Sequence, residues 1–290
     1  MPRVSGAVLS LLPVLLLLAI LFGGGMGIAI MQSVGYFPPA GENSFTLAHY
    51  KELIADTELR ASLVVTLLWA SLASALSMIL GLALALALRR IAATSRLPGL
   101  LLQAPLAIPH LAIAILALNL LGQSGLVSRI AYAAGLISEP AAFPEFFHDS
   151  YGLGIVLTYT YKETPFVALV ALAMLRRIGN DYESLAATLG ASPWQRFRHV
   201  TLPLVAPPLV SATLIVFAFL FGAFEVPFLL GRTYPAMLGV LAQRRFMSSN
   251  LMDRPEAIAT GVLMALIAAT AVYLYLRLSS RFVGERPTLF

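Results

Sequence analysis

The chain has no cysteine, which excludes disulfides, thiolate nucleophiles and thiolate metal sites. Charge is also scarce. Only 11% of its 290 residues are Asp, Glu, Lys or Arg, where soluble domains carry roughly a quarter. The only lysines are Lys51 and Lys162, and neither stands in a Gly-rich loop. A P-loop needs that combination to hold nucleotide phosphates, so the chain has no such site of its own. The histidines at 49, 110, 148 and 199 are dispersed without metal-ligand spacing. No tandem repeat or low-complexity tract appears. Nor does any Ser/His/Asp, HExxH or paired catalytic constellation that would mark an intramembrane enzyme.

What the chain has instead is apolar surface: 59% of residues are hydrophobic and the mean hydropathy is +0.86. Crossing a bilayer as a helix takes about 20 apolar residues. Stretches of that order run over Val8–Met31, Leu63–Leu88, Gly99–Leu121, Gly152–Leu175, Leu204–Leu230 and Ile258–Leu276. Lipid offers no partner for backbone N–H and C=O groups, and these runs are too long for barrel strands, so they are expected as helices. The expected fold is an all-α membrane protein: a single transmembrane domain over 1–290 with six spans. Its aqueous parts are too small for a separate soluble domain. A pI of 9.7 would suggest nucleic acid for a soluble chain. Here the arginines flank spans and serve as topology anchors, so no nucleic-acid partner is expected.

With six spans both termini share one side. Arg3, Arg89, Arg90, Arg96, Arg176, Arg177, Arg196, Arg198, Arg277, Arg281 and Arg286 fall there. Lys51, Arg60, Arg129, Arg232, Arg244, Arg245 and Arg254 fall on the other. The excess, with Arg89-Arg90 and Arg176-Arg177 directly at span ends, places the termini in the cytoplasm. The first apolar run exceeds the usual 7–15-residue core of a signal peptide and is expected to be retained as a span. Outer loops are expected at 32–62, 123–151 and 232–256.

The cytoplasmic loop at 176–203 breaks the pattern with a polar island from Asp181 to Pro203. Asp181 is a candidate N-cap for a short helix, Tyr182–Leu189, ended by Gly190. Ser192-Pro193-Trp194-Gln195 then has the spacing of a capping box with proline at the first helical position. A second helix, Pro193–Val200, is expected, with Pro203 opening the next span. Leu185, Ala186 and Leu189 form an apolar stripe on the first helix. Two short helices with apolar and polar faces suit a socket in a soluble partner.

This island resembles the EAA loop of permease subunits of bacterial ATP-binding cassette importers. That pattern is Glu-Ala-Ala, three residues, Gly, nine residues, an aliphatic, one residue, Leu-Pro. Ala186, Gly190, Val200, Leu202 and Pro203 fall on it. Ser184 and Leu185 stand where the pattern has Glu-Ala, and Glu183 lies one residue early. Tyr161-Lys162-Glu163-Thr164-Pro165-Phe166, the stretch from Phe224 to Gly231 and that from Val240 to Phe246 are similar to the spermidine/putrescine-type branch. The resemblance implies a type I importer permease with a MetI-like bundle, in the bacterial cytoplasmic (inner) membrane. It implies coupling to ATPase subunits through Glu183, Ser184, Leu185, Ala186, Gly190, Ala191, Leu202 and Pro203. Implied partners are two ATPase subunits that bind the ATP and Mg, an extracytoplasmic solute-binding protein and a second homologous permease. A heterodimer is expected before a homodimer. No cofactor or metal is expected on this chain, nor enzymatic activity of its own. The solute it implies is a polyamine or another small charged molecule.

Lys162, Glu163 and Glu225 lie within apolar spans, where an unpaired charge costs on the order of 3 kcal/mol. Two uses are open. Tyr161, Lys162, Glu163, Glu225 and His110 could line a translocation pathway, with Pro165 and Pro227 opening the helices nearby. Alternatively, Lys162 could compensate Glu163 or Glu225 structurally, and His110 could serve helix packing. Tyr159 and Tyr161 read as an interfacial aromatic pair. An ion-coupled secondary carrier using Glu163 and Glu225 is the competing transport class.

Overall fold

The computed structural model describes residues 3–179 and 181–283. Arg286, named above as an anchor, lies outside them. Helices dominate the described residues: α1 (Arg3–Leu18), α2 (Gly24–Ser33), α3 (Ala48–Ala55), α4 (Thr57–Thr94), α5 (Leu97–Gln103), α6 (His110–Leu121) and α7 (Leu126–Ala133) come first. They are followed by α8 (Leu153–Ile178), α9 (Asp181–Thr188), α10 (Pro193–Arg196), α11 (Leu202–Phe221), α12 (Glu225–Leu230), α13 (Leu238–Phe246) and α14 (Asp253–Val283). A π-helical turn, Ala19–Gly23, joins α1 to α2 in one helical run.

Five stretches among the described residues are long and apolar enough to cross a membrane: Ser10–Ser33, Thr57–Ile91, His110–Ala133, Pro193–Phe221 and Asp253–Leu274. Six were expected. The expected fourth span coincides with α8, which is long enough, at 26 residues, but too polar to stand among them. Its polar residues Thr158, Thr160, Lys162 and Glu163 are buried against other helices rather than presented outward.

Two expected spans are broken. The continuous helix over 99–121 is interrupted between α5 and α6, where a 3₁₀ turn, Pro105–Ala107, gives way to an extended Ile108 at ψ 128°. Ile108 precedes Pro109, whose ring disfavours the helical conformation at that position. The expected helix over 204–230 ends at Phe221 and resumes at Glu225, with Gly222, Ala223 and Phe224 between. The three loops are not bare either: α3 lies in the first, α7 in the second and α13 in the third.

By contacts the chain divides into two units. One comprises Met1–Arg60 and Leu241–Ile267, the other Ala61–Val240 and Ala268–Phe290. In the first, Tyr36–Phe37 pairs antiparallel with Glu42–Asn43, and Asp56, between α3 and α4, and Glu58, in the first turn of α4, pair with Arg245 and Arg244 of α13. In the second, the core packs α8 against α4, α5, α6, α11 and α12 around Trp69, Tyr159, Leu172, Val205, Leu220 and Leu230. Small residues allow the closest approach. A Cβ on Gly81 of α4 would stand 2.8 Å from the side chain of Val167 on α8. Ala168 and Ala171 are fully buried on the same helix, which is the small-residue packing that membrane helices favour.

Candidate functional site

The island folds into two helical pieces, as its spacing suggests, and differs in detail. Helix α9 is Asp181–Thr188, so Asp181 stands in its first turn instead of flanking it. Gly190 takes φ +85°. Its N–H donates to the Ala187 carbonyl at 3.0 Å, and the Ala191 N–H to that of Ala186, also at 3.0 Å. This 5→2 and 6→1 pair is a Schellman termination, which satisfies carbonyls that the helix end would leave free. Ser192 and Gln195 form the expected capping box: Ser192 N–H donates to Gln195 Oε1 at 2.8 Å, and Gln195 N–H to Ser192 Oγ at 3.3 Å. From Pro193 the chain remains helical through a π turn, Phe197–Thr201, into α11. Pro203 is therefore not a hinge. It lies inside the continuous run, directly after the π turn, where its missing N–H removes one donor from the helical ladder. The expected separate helix Pro193–Val200 is the head of one run to Phe221.

The two faces of α9 have different roles. Tyr182, Leu185 and Leu189 recur at helical spacing and point outward; Leu185 is 61% exposed and Leu189 81%. Trp194, 64% exposed, extends this apolar surface onto α10. Ser184 is exposed, while Ala186 is half-buried. Glu183, on the inward side, accepts two hydrogen bonds from the Arg89 guanidinium at the end of α4, at 2.6 and 2.8 Å. The Thr201 hydroxyl donates to the same carboxylate at 2.6 Å. Arg89 holds the Glu183 carboxyl below the usual carboxylate range; partial burial opposes this and the Thr201 hydroxyl reinforces it. Arg89 was legible only as a topology anchor and Thr201 not at all, because nothing local relates positions 94 residues apart.

The charges of the membrane segments are not left free, Glu225 excepted. Lys162 is 3% exposed. Its ammonium donates to the carbonyls of Pro105 at 2.7 Å, Leu106 at 3.1 Å and Ile108 at 2.7 Å. These carbonyls lie at the break between α5 and α6, where that of Pro105 also accepts the Ile108 N–H at 3.3 Å. Lys162 thus clamps the break and hydrogen-bonds to neither Glu163 nor Glu225, while its charge still interacts with that of Glu163. Glu163 instead pairs with His110 at 2.9 Å. The His110 ring packs between Phe219 and Tyr159. Tyr159 is buried in the core, not at an interface, and Tyr161 is exposed. Tyr161 borders an apolar groove of about 490 Å³ shared by Ile108, Ile113, Leu116, Val127 and Phe146. Glu225, at the start of α12, is exposed and among the described residues has no hydrogen-bond or ion-pair partner. Asn119, Gln123, Ser124, Glu145 and His148 line a polar pocket of about 450 Å³ that the sequence reading did not anticipate. No group of His, Cys, Asp or Glu among the described residues could hold a metal ion.

Residues 77–285 match the family described as binding-protein-dependent transport system inner membrane component. The inner membrane ABC transporter permease protein YnjC of Escherichia coli K12 is 30% identical over 243 residues, covering 80% of this chain and 44% of that longer relative. The molybdenum transport system permease protein ModB of Mycobacterium bovis is 29% identical over 225 residues, covering 76% of this chain and 80% of its own. Among solved structures, a chain of a bacterial alginate ABC transporter, in complex with an alginate pentasaccharide-bound periplasmic protein, superposes with a TM-score of 0.78. It is 19% identical and covers 97% of this chain and 96% of that one. The fold is shared. These matches do not single out the spermidine/putrescine-type branch.

Proposed function

Because the chain belongs to the family of binding-protein-dependent transport system inner membrane components, we propose that it forms half of the membrane pathway of an ATP-driven importer. In this reading α8 is a sixth span, shielded from lipid by the helices around it, and both termini face the cytoplasm. A second, homologous permease completes the pathway, a heterodimer before a homodimer. An extracytoplasmic binding protein delivers a small charged solute, polyamines being one member of that class. Two ATPase subunits, carrying the ATP and Mg, grip the segment 181–203.

One observation carries the coupling assignment. The segment holds an apolar face outward, on Leu185, Leu189 and Trp194, while its inward face is fastened to the bundle through Glu183. A loop that merely joined two spans would have no reason to expose large apolar side chains from a doubly capped scaffold. The uninterrupted helix from Pro193 to Phe221 supplies the mechanics, because displacement of α10 by a docked ATPase passes into α11 without a flexible joint. Closure and reopening of paired ATPases would then bias the spans between inward-open and outward-open states. Within the spans, Lys162, Glu163 and His110 hold the pathway's framework and Glu225 is the charge available to a solute. The test is solute uptake by cells carrying Leu185→Glu or Leu189→Glu. Both variants are expected to reach the membrane at normal levels and to lose uptake at least about tenfold; undiminished uptake would sink the assignment.

A further inference from the structure

A pocket of about 280 Å³ opens beside Glu183, lined by Leu86, Arg89, Arg90, Arg196, Phe197 and Thr201, with Pro193 at its rim. Its volume corresponds to roughly nine waters at about 30 Å³ each, more than a single bridging water needs. Its charge is unbalanced. Glu183 is committed to Arg89 and Thr201. No salt bridge among the described residues involves Arg90 or Arg196, and Arg196 meets Glu183 only as a more distant charge, behind Arg89 and Thr201. The Nε of Arg196 is buried and has no hydrogen-bond partner there, and a buried donor left unpaired costs about 1–3 kcal/mol. Arg90 and Arg196 thus line the void beside the Arg89–Glu183 pair and leave it with a surplus of positive charge.

The depth of the pocket identifies what balances it. Arg89 and Arg90 stand at the end of the apolar stretch Thr57–Ile91, and Arg196 near the start of Pro193–Phe221. The pocket thus lies where two spans leave the hydrocarbon, at the level of lipid phosphates. Leu86 and Phe197 continue its wall toward the apolar side. We propose that this pocket binds a phosphate group, carried by an anionic phospholipid of the cytoplasmic leaflet. Arg196 and Arg90 receive the phosphate oxygens in the planar geometry that guanidinium groups favour. Basic pockets between spans on the cytoplasmic side suit such headgroups in general. The bound lipid would neutralise the pocket directly behind α9 and so brace the coupling segment from the membrane side. The inference rests on the proposed reading that α4 and α11 are spans whose ends at this pocket face the cytoplasm, and not on ATPase docking.

The experiment uses the purified full chain in a nonionic detergent, melted with phosphatidylglycerol, with phosphatidylcholine or with inorganic phosphate at matched concentration. Bound lipid is counted in parallel by native mass spectrometry. Phosphatidylglycerol is expected to raise the melting temperature by a few degrees and the other two to have little effect. Arg196→Gln is expected to lose at least half of that increment and one retained phosphatidylglycerol, while Arg60→Gln, near the start of α4 and outside the pocket's lining, keeps both. Arg196→Lys, which retains the charge without the planar fork, serves if the glutamine variant does not fold, and is expected to retain less lipid than the parent chain. Equal increments in parent chain and Arg196 variants, or no increment in the parent, would overturn the site. An inorganic-phosphate increment as large as that from phosphatidylglycerol would overturn the lipid source in favour of a free anion. None of these readouts involves the ATPase, so the result stands apart from the coupling assignment.

Discussion

At Glu183 one carboxylate accepts two hydrogen bonds from Arg89 and one from Thr201. It thereby joins α9 to the end of α4 and to the turn that leads into α11. Its folded-state pKa lies below the unfolded value of about 4.3. A depressed carboxyl contributes stability that is fully present above the unfolded pKa and is lost as pH falls through the folded one. Hydrogen exchange at the α9 amides should therefore show protection that is constant near neutrality and declines below about pH 4. Glu183→Gln should lower that protection at neutral pH and remove the acid-range dependence. Lys162 invites a different measurement. Replacing it by Met leaves three carbonyls at the α5–α6 break without their donor, and about 3 kcal/mol of stability should be lost in a denaturant titration. At Glu225 the expectation reverses. Glu225→Gln should leave stability within about 0.5 kcal/mol, as surface changes usually do, while solute uptake falls.

At the scale of elements, the island and the broken helices show what local sequence can encode. The capping box at Ser192–Gln195 and the Gly190 termination are short-range devices complete within a few residues, and both were legible from spacing alone. Pro203 was misread because a proline's meaning depends on its place in the helix. As an opening residue it would start α11, but here the turn Phe197–Thr201 already carries the helix past it. The breaks at 104–109 and 222–224 fall in runs that are predominantly apolar on both sides, so hydropathy does not mark them. The partner that makes the first break tolerable, Lys162, lies more than 50 residues away. Gly190→Ala tests the termination. Nothing lies within 4 Å of the added Cβ, so only the left-handed backbone opposes it. Its cost should be about 1–2 kcal/mol, read as faster exchange at the α9 C-terminus, with the rest of the chain unaffected.

For the whole molecule, the length and polarity of α8 point in opposite directions, and packing resolves them: a helix walled in by α4, α6, α11 and α12 can carry Lys162, Glu163 and His110's partner groups without meeting lipid. That enclosure explains why hydropathy counts five apolar spans among the described residues and passes over this helix. The central claim is that the outward apolar face of α9 and α10 is where an ATPase subunit engages. The absence of cysteine makes a direct test clean, since Leu189→Cys introduces the sole thiol of the chain. A photo-cross-linker attached there in native membranes, followed by mass spectrometry of the linked product, should capture an ATP-binding cassette ATPase. A probe at Tyr161, on another surface, should not. Full labelling at position 189 with no ATPase in the product, in membranes that still import solute, would contradict the account.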